Sequence, residues 1–234
     1  MRYTIVTETW PPEINGVALT VQAKEQGLRA RGHDVELIRP RQAHGQLGAA
    51  HELLVPGLPI PGYPAMRFGL PALRTLRRHW QARRPDAIYI ATEGPLGWSA
   101  LRVARKLGIA VATGFHTRFD EYTRDYGVGF LQPLALGWMR RFHNRSDATL
   151  VPTCELADFL RAERFSDVVH QPRAVDTRRF DPARRDEALR AGWGLGETGL
   201  AVVYLGRVAA EKNLPLAIRA FREIAKSEER RVGK

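Results

Sequence analysis

Short apolar strands alternate with helices along most of this chain, and this alternation constrains the fold most strongly. Strands are predicted at residues 3–7, 35–38, 86–91, 109–113, 148–151 and 168–170. Segments with helical periodicity separate most of them, whereas residues 40–66, rich in Gly, Pro and His, are predicted to be a loop. Strands joined through helices indicate an α/β fold with a doubly wound parallel sheet.

A glycine-rich stretch at 192–199 is the predicted domain boundary, giving one domain at 1–195 and the beginning of a second at 196–234. Residues 200–205 form an apolar run that is typical of a buried strand. Gly206 allows a sharp exit from this strand, and Arg207 and Lys212 follow before a new helix. Two fixed cations at this position favour an anion, most plausibly a phosphate.

The composition narrows the possible partners. A net charge of +11 raises nucleic acid, anionic lipid and phosphorylated small molecules as ligands. Specific nucleic-acid binding has no further support, since neither zinc-finger spacing nor a basic tail is found. With no signal peptide and a single cysteine, Cys154, we expect a cytoplasmic protein. Cys154 has no evident His partner in the sequence and is predicted to be structural.

Ligands of doubly wound sheets bind beyond the carboxyl ends of the strands, so the loops there hold the candidate site residues. Asn15 and Gly16 precede a helix whose free amides could hold a phosphate. Glu93 follows the third predicted strand. His116, Asp120 and Tyr122 follow the fourth, where a polar sugar could be held. No second His or Cys stands at metal-ligand spacing, so no metal site is predicted.

Six segments taken together resemble a known family. In chain order they are PEINGV (12–17), EGPLG (93–97), FHTRFDEY (115–122), VPT (151–153), RAVDTRRF (173–180) and GRVAAEKN (206–213). They are similar to the ordered landmarks of the retaining glycosyltransferases of family 4, which have two Rossmann-like domains in the GT-B arrangement. Segments 93–97 and 115–122 look most like the bacterial lipid-directed branch, which includes mannosyl, glucosyl and sulfoquinovosyl transferases.

The resemblance implies a role for several residues. Asn15 and the amide of Gly16 would lie at the donor diphosphate, and His116 would lie beside the donor sugar. Arg207 and Lys212 would neutralise the leaving diphosphate, and Glu93, Asp120 and Tyr122 would face the acceptor. The donor would be a nucleotide-sugar such as GDP-mannose or a UDP-hexose, transferred to a lipid or glycan acceptor without a metal or other cofactor.

A basic amphipathic helix predicted within 67–84 suggests contact with an anionic membrane, peripheral on the inner face of the cell membrane. Leu73, Leu76 and Trp80 form its apolar stripe. Its membrane-contact candidates are Arg74, Arg77, Arg78 and Trp80. The alternative is that the stripe packs against the sheet and the basic face is solvated.

The sequence departs from the family pattern near its end. The acidic pair of the family's donor-binding domain is absent, so we expect a truncated chain that is inactive by itself. Two other functions stay open: a non-catalytic domain that binds a phosphorylated ligand or a membrane, and a nucleic-acid-binding module that rests on charge alone.

Overall fold

The structure, a computed structural model, describes most of the chain. The described residues are 1–13, 15–43, 45–60, 63–116, 132–196, 199–206, 208 and 212–232, with the backbone alone described at 63–66 and 225–232. They belong to two compact units, which are treated separately below. The first unit comprises described residues 1–116 and 132–173, and the second begins at Ala174. The division falls after Arg173, in a stretch, 171–189, that is exposed throughout, and the domain boundary at 195 stays a prediction.

The first unit alternates strands and helices as the sequence predicts. Its strands are β1 (Arg2–Val6), β2 (Asp34–Pro40), β3 (Glu52–Val55), β4 (Gly57–Ile60), β5 (Tyr63–Gly69), β6 (Ala87–Ile90), β7 (Ala110–Gly114), β8 (Ala148–Val151) and β9 (Val168–His170). Its helices are α1 (Gly16–Ala30), α2 (Leu73–Ala82), α3 (Pro95–Leu107), α4 (Gln132–His143) and α5 (Cys154–Ala162).

Seven of these strands form one parallel sheet in the order β3-β2-β1-β6-β7-β8-β9. Strand β1 lies between β2 and β6, with Val6 in register with Ile38 on one side and Ile90 on the other. The chain therefore leaves β1 toward one edge and later β6 toward the opposite edge. This confirms the doubly wound, Rossmann-like α/β fold, and it brings the carboxyl ends of β1 and β6 together.

Both faces of the sheet are covered, which explains the nearly continuous apolar strands. On one face α1 packs Val21 onto Ile5 and Leu37. Another core cluster joins α2 and α3 to β1, β2 and β6 through side chains that include Trp80 and Leu101. Leu76 and Trp80 of the apolar stripe of α2 are thus buried in the core.

The prediction of a loop at 40–66 is wrong in part. Strand β3 extends the parallel sheet beside β2. Strands β4 and β5 form an antiparallel pair with an irregular register at Ile60. The Gly and Pro residues that suggested a loop lie partly within these strands, because an edge strand or a two-stranded pair tolerates Pro where a central strand does not.

The regular structure in the described part of the second unit is helical. It has a 3-10 turn at Pro182–Arg184 and the helices α6 (Glu187–Gly192) and α7 (Leu214–Val232). Residues 200–205, predicted to be a buried strand, are outside any strand, and Leu205 is 97% exposed. A strand needs a neighbour to satisfy its backbone, and no strand lies in the described part of this unit.

Helices of the described residues are too short or too polar to cross a membrane.

Candidate active site

The loop after β1 presents the first turn of α1. Asn15 caps this helix: its Oδ1 accepts from the Ala18 amide at 2.8 Å, and its Nδ2 donates to Thr9 Oγ1 at 2.6 Å. Thr9 in turn donates to Glu13. Gly16 is exposed, and a Cβ placed on it would meet no other atom within 4 Å. The loop is therefore held rigidly from within while the space around Gly16 is open.

His116 lies two residues after β7, at the same sheet edge. Its Nε2 is 2.6 Å from the Tyr89 hydroxyl of the adjacent strand β6, and its Nδ1 is buried with no hydrogen-bond partner among the residues that the structure describes. Gly114 makes this contact possible, because a Cβ there would lie 2.2 Å from the Tyr89 oxygen. Burial, helped by the charges of Arg173 and Lys24, lowers the pKa of His116 to about 4. The ring is therefore neutral at physiological pH.

Lys24 of α1 completes this group from the other side. Its ammonium lies 5.0 Å from the centre of the Tyr89 ring and donates to Gln171 Oε1. Burial lowers the pKa of Lys24. Residues from α1, β6 and the segments after β7 and β9 thus converge at one end of the sheet, as the topology predicts.

Behind this edge a chain of polar groups runs into the protein. Glu93 Oε1 is 3.2 Å from His143 Nε2, and His143 Nδ1 is 2.8 Å from Thr113 Oγ1. Ser146 Oγ lies 3.0 Å from the same Thr113 oxygen. Glu93 is 5% exposed and His143 is fully buried. The Glu93 carboxyl is therefore engaged inside the protein rather than standing free at the helix start.

A second carboxyl, Glu8, is buried at the end of β1. It accepts from the Leu96 amide at 2.9 Å at the start of α3. Burial raises its pKa to about 7, although hydrogen bonds from the backbone oppose the shift and Glu93 adds to it. Gly94 must lack a side chain here, since a Cβ would come within 2.1 Å of the Glu8 carboxyl.

Sequence reasoning missed Tyr89, His143 and Glu8. Tyr89 lies within a strand and His143 at the end of a helix, where periodicity indicates only packing. Glu8 was within a loop of interest but carries no motif. A signal could have come from the parallel register, because Tyr89 pairs with Ala112, two residues before Gly114.

Three predicted site residues, Arg207, Asp120 and Tyr122, lie outside the described residues. Lys212 belongs to the second unit, where it is exposed. The phosphate contacts predicted for Arg207 and Lys212 remain predictions.

Trp80 cannot contact a membrane in this structure, because it is only 1% exposed. Leu76 is fully buried beside it, so the alternative of a stripe packed on the core holds for these two residues, whereas Leu73 is 39% exposed. Arg74, Arg77 and Arg78 are exposed on the outer side of α2.

Cys154 does have a histidine neighbour: its Sγ is 3.4 Å from His170 Nδ1. The sequence alone does not indicate this pair. The two side chains come together because β8 and β9 are adjacent and parallel.

No cluster of three or more potential metal-ligating side chains occurs among the residues that the structure describes.

A basic groove of about 670 Å³ lies between α3 and α4, away from the sheet edge. Trp98 and Trp138 stand in it with ring centres 5.9 Å apart, and the Arg145 guanidinium lies 5.5 Å from the Trp98 ring. Its further lining residues are Leu101, Arg102, Arg105, Lys106, Arg141 and Asn144. A smaller cavity extends the basic surface to Arg74 and Arg77 of α2.

Comparisons with known proteins identify the family to which this chain belongs. The family model "Glycosyltransferase Family 4" matches residues 14–179. A GDP-mannose-dependent alpha-mannosyltransferase of Mycolicibacterium smegmatis is 33% identical over 231 residues, covering 95% of this chain and 61% of the relative. An alpha-monoglucosyldiacylglycerol synthase of Streptococcus pneumoniae is 23% identical, covering 98% of this chain and 54% of the relative.

Among solved structures, a sucrose-phosphate synthase of Thermosynechococcus elongatus aligns with a TM-score of 0.66 at 14% identity, covering 95% of this chain and 60% of the other. The chain thus spans somewhat over half the length of these relatives. The family model matches most of the first unit, and the parallel sheet of that unit is consistent with the match. The chain therefore belongs to glycosyltransferase family 4.

Proposed function

We propose that residues 1–195 form the acceptor-side domain of a retaining glycosyltransferase, which moves a mannose- or glucose-type hexose from a nucleotide-sugar to a lipid or glycan. The observation that carries the proposal is the convergence of His116, Tyr89 and Lys24 at the end of the sheet where β1 also leads into the open turn at Gly16. The names of the mannosyltransferase and the glucosyldiacylglycerol synthase support the choice of sugar and of a lipid acceptor.

His116 acts in this proposal as a neutral partner of the donor sugar. A ring with a pKa of about 4 is uncharged at pH 7, so it can hydrogen-bond a sugar hydroxyl but cannot supply a positive charge. It therefore positions the sugar, and the charge that develops in the reaction must be balanced elsewhere.

The charge that must be balanced is the negative charge of the leaving diphosphate. The first amides of α1, capped by Asn15, and the helix dipole favour an anion at Gly16. We assign the remaining neutralisation to Arg207 and Lys212 of the donor-side domain. Preorganised cations can stabilise a leaving phosphate without a metal ion, so none is required.

The acceptor is proposed to come from a membrane surface. Seven cations line the continuous basic face of α2, α3 and α4 that includes the groove, namely Arg74, Arg77, Arg102, Arg105, Lys106, Arg141 and Arg145. Arg105 is paired with Asp147. Trp138 is exposed beside them and supplies an amphipathic ring of the kind found at lipid interfaces. Arg74, Arg77 and Arg78 keep the role predicted for them, on the cytoplasmic side of the membrane, whereas Trp80 does not.

Ligand-observed NMR tests the donor assignment on this chain. GDP-mannose and UDP-glucose are presented in parallel, and saturation transfer to the sugar protons of one of them is expected. His116→Ala should lose this transfer. His33→Ala should keep it, since His33 lies just before β2 at the opposite sheet edge. Absence of transfer to both nucleotide-sugars contradicts the proposal.

A chimera tests turnover, because the chain spans only 61% of the mycobacterial relative. The corresponding remainder of that relative is joined after residue 195, and sugar incorporation into a lipid acceptor is measured. Incorporation that falls about a hundredfold in His116→Ala supports the enzyme. A folded chimera that binds the donor but transfers nothing favours the alternative, a non-catalytic binding domain. A nucleic-acid-binding module has no observation in its favour beyond net charge.

A further inference from the structure

The contact between Tyr89 and His116 is more constrained than packing requires. Gly114 leaves room for both partners of this contact. A Cβ at this position would lie 2.2 Å from the Tyr89 oxygen and 2.5 Å from His116 Nε2. The ring of Tyr89 packs against the α1 core cluster, while Lys24 covers its face. The hydroxyl is thereby fixed in the direction of the imidazole.

The direction of this hydrogen bond follows from the relative strengths of the two possible donors and acceptors. If Nε2–H donated to the phenol oxygen, both the phenol proton and the buried Nδ1 lone pair would lack partners. If the phenol donates to Nε2, the Nδ1–H and the phenol oxygen lone pairs lack partners instead, so each direction leaves one donor and one acceptor unmatched. Burial raises the pKa of Tyr89, so the phenol keeps its proton. A phenol O–H is a stronger donor than a neutral imidazole N–H, and an imidazole nitrogen is a stronger acceptor than a phenol oxygen, so the second arrangement is favoured.

We propose that Tyr89 is a positioning residue of the transferase: it donates to Nε2 of His116, fixes the ring as the Nδ1–H tautomer and leaves this N–H as the donor for a ligand hydroxyl. The buried, unpartnered Nδ1 is the atom that a sugar oxygen would satisfy. This inference deepens the proposed function and rests on His116 facing the donor sugar. It identifies a residue that neither touches the donor nor belongs to a sequence motif.

The groups around the imidazole agree with a neutral ring. Lys24 from α1, Arg173 after β9 and His143 from α4 each disfavour a second proton on it. Glu93 acts on Tyr89 in the same sense, disfavouring the phenolate. Burial is the main cause that keeps the pair as phenol and neutral imidazole, and it outweighs the charge of Arg173, which by itself would lower the pKa of Tyr89.

Histidine-ring ¹H–¹⁵N correlation spectra of the full chain test the tautomer directly. We expect the Nδ1–H form of His116 in the wild type. Tyr89→Phe keeps the ring and its packing but removes the donor, so the population should shift toward Nε2–H and the titration of His116 should move to higher pH. Tyr3→Phe is the matched control, because the hydroxyl of Tyr3 makes a hydrogen bond only to Met1 among the described residues.

A second variant keeps the hydroxyl but displaces it. Gly114→Ala places a methyl group between Tyr89 and His116, and the same tautomer change is expected. A wild type that is already Nε2–H overturns the inference. So does a Tyr89→Phe spectrum that is indistinguishable from the wild type.

Donor affinity separates this inference from the proposed function. In the same ligand-observed experiment, Tyr89→Phe should weaken nucleotide-sugar binding by roughly three- to tenfold, the range for one neutral hydrogen bond, with unchanged thermal unfolding. If the wild type binds a donor and Tyr89→Phe binds it equally well, the positioning role is wrong. If the wild type binds no donor but shows the predicted tautomer, the proposed function fails and the hydrogen-bond assignment stands.

Discussion

Two short segments, one in each compact unit of this chain, show that apolar composition alone does not decide burial. In β2, residues 35–40 are all buried, with β1 on one side and β3 on the other. In the second unit, residues 200–205 are more apolar than this strand, which contains Glu36 and Arg39, yet they are mostly exposed and form no strand. The difference shows that an apolar run specifies a strand only where neighbouring strands accept its hydrogen bonds and helices cover its faces.

Hydrogen exchange should show the largest contrast between the units. Amides of β1, β6 and β7 are expected to exchange at least roughly a thousandfold more slowly than those of 199–206, because their opening requires global unfolding. Mass spectrometry of peptic peptides measures both regions in one experiment. Comparable protection of 199–206 would break the comparison.

Leucine truncation should give the next largest contrast. Leu37 in β2 is fully buried, so Leu37→Ala is expected to lower the free energy of unfolding by about 2–5 kcal/mol. Leu205→Ala removes the same atoms from a side chain that is 97% exposed and should change it by less than about 0.5 kcal/mol. Urea denaturation followed by tryptophan fluorescence gives both values. Equal losses would contradict the assignment of the core to the first unit.

The carboxyls of Glu8 in the first unit and Glu187 in the second extend the comparison to the pH dependence of stability. The folded-state pKa of Glu8 is raised from 4.5 to about 7, so its contribution is most favourable at low pH. As pH rises from about 4.5 through 7, this group should remove about 3 kcal/mol from the free energy of unfolding. His116 acts oppositely, since its lowered pKa favours the folded state at higher pH.

The difference between wild type and Glu8→Gln isolates the effect of Glu8 from that of His116. The variant should lack the decline between pH 5 and 7. Glu187→Gln, which changes an exposed carboxyl of α6 beside Arg185, should leave the profile in this range as it is. Parallel profiles for wild type and Glu8→Gln would show that Glu8 ionises normally.

Vesicle binding should show the smallest effect. Arg74→Gln with Arg77→Gln should weaken binding to anionic vesicles by about 2 kcal/mol, roughly thirtyfold, at low salt, because each basic side chain near the surface contributes about 1 kcal/mol. The matched control is Arg178→Gln with Arg179→Gln, two exposed arginines of the second unit. Co-sedimentation at two salt concentrations provides the measurement. Equal weakening by both pairs would assign binding to overall charge rather than to the α2 face.

Much of the first unit could be predicted because its signals are local. The N-cap of Thr153, whose Oγ1 accepts from Leu156, and the left-handed Gly108 after α3 mark helix ends within a few residues. The strands around β3, β4 and β5 could not be predicted in the same way. Their partners lie across the sheet or across an irregular turn, and their Gly and Pro content is typical of loops.

The candidate site divides similarly. His116 and the turn at Asn15 and Gly16 were predictable, because both follow strands and belong to motifs. Tyr89 was not, since it is one of several large side chains in a strand until its hydroxyl is placed on His116. The unusual protonation of Glu8 also depends on what buries it.

The sequence by itself determined the α/β class, the order of most strands and helices, and membership of a transferase family through six short segments. The tertiary structure alone decided which apolar residues are buried, which polar groups meet, and which pKa values shift. Helix caps and periodicity act between residues a few positions apart. Other features depend on residues that only the packing and parallel register of the folded protein bring together. They are the burial of Trp80, the pairing of Tyr89 with His116 and the pairing of Cys154 with His170.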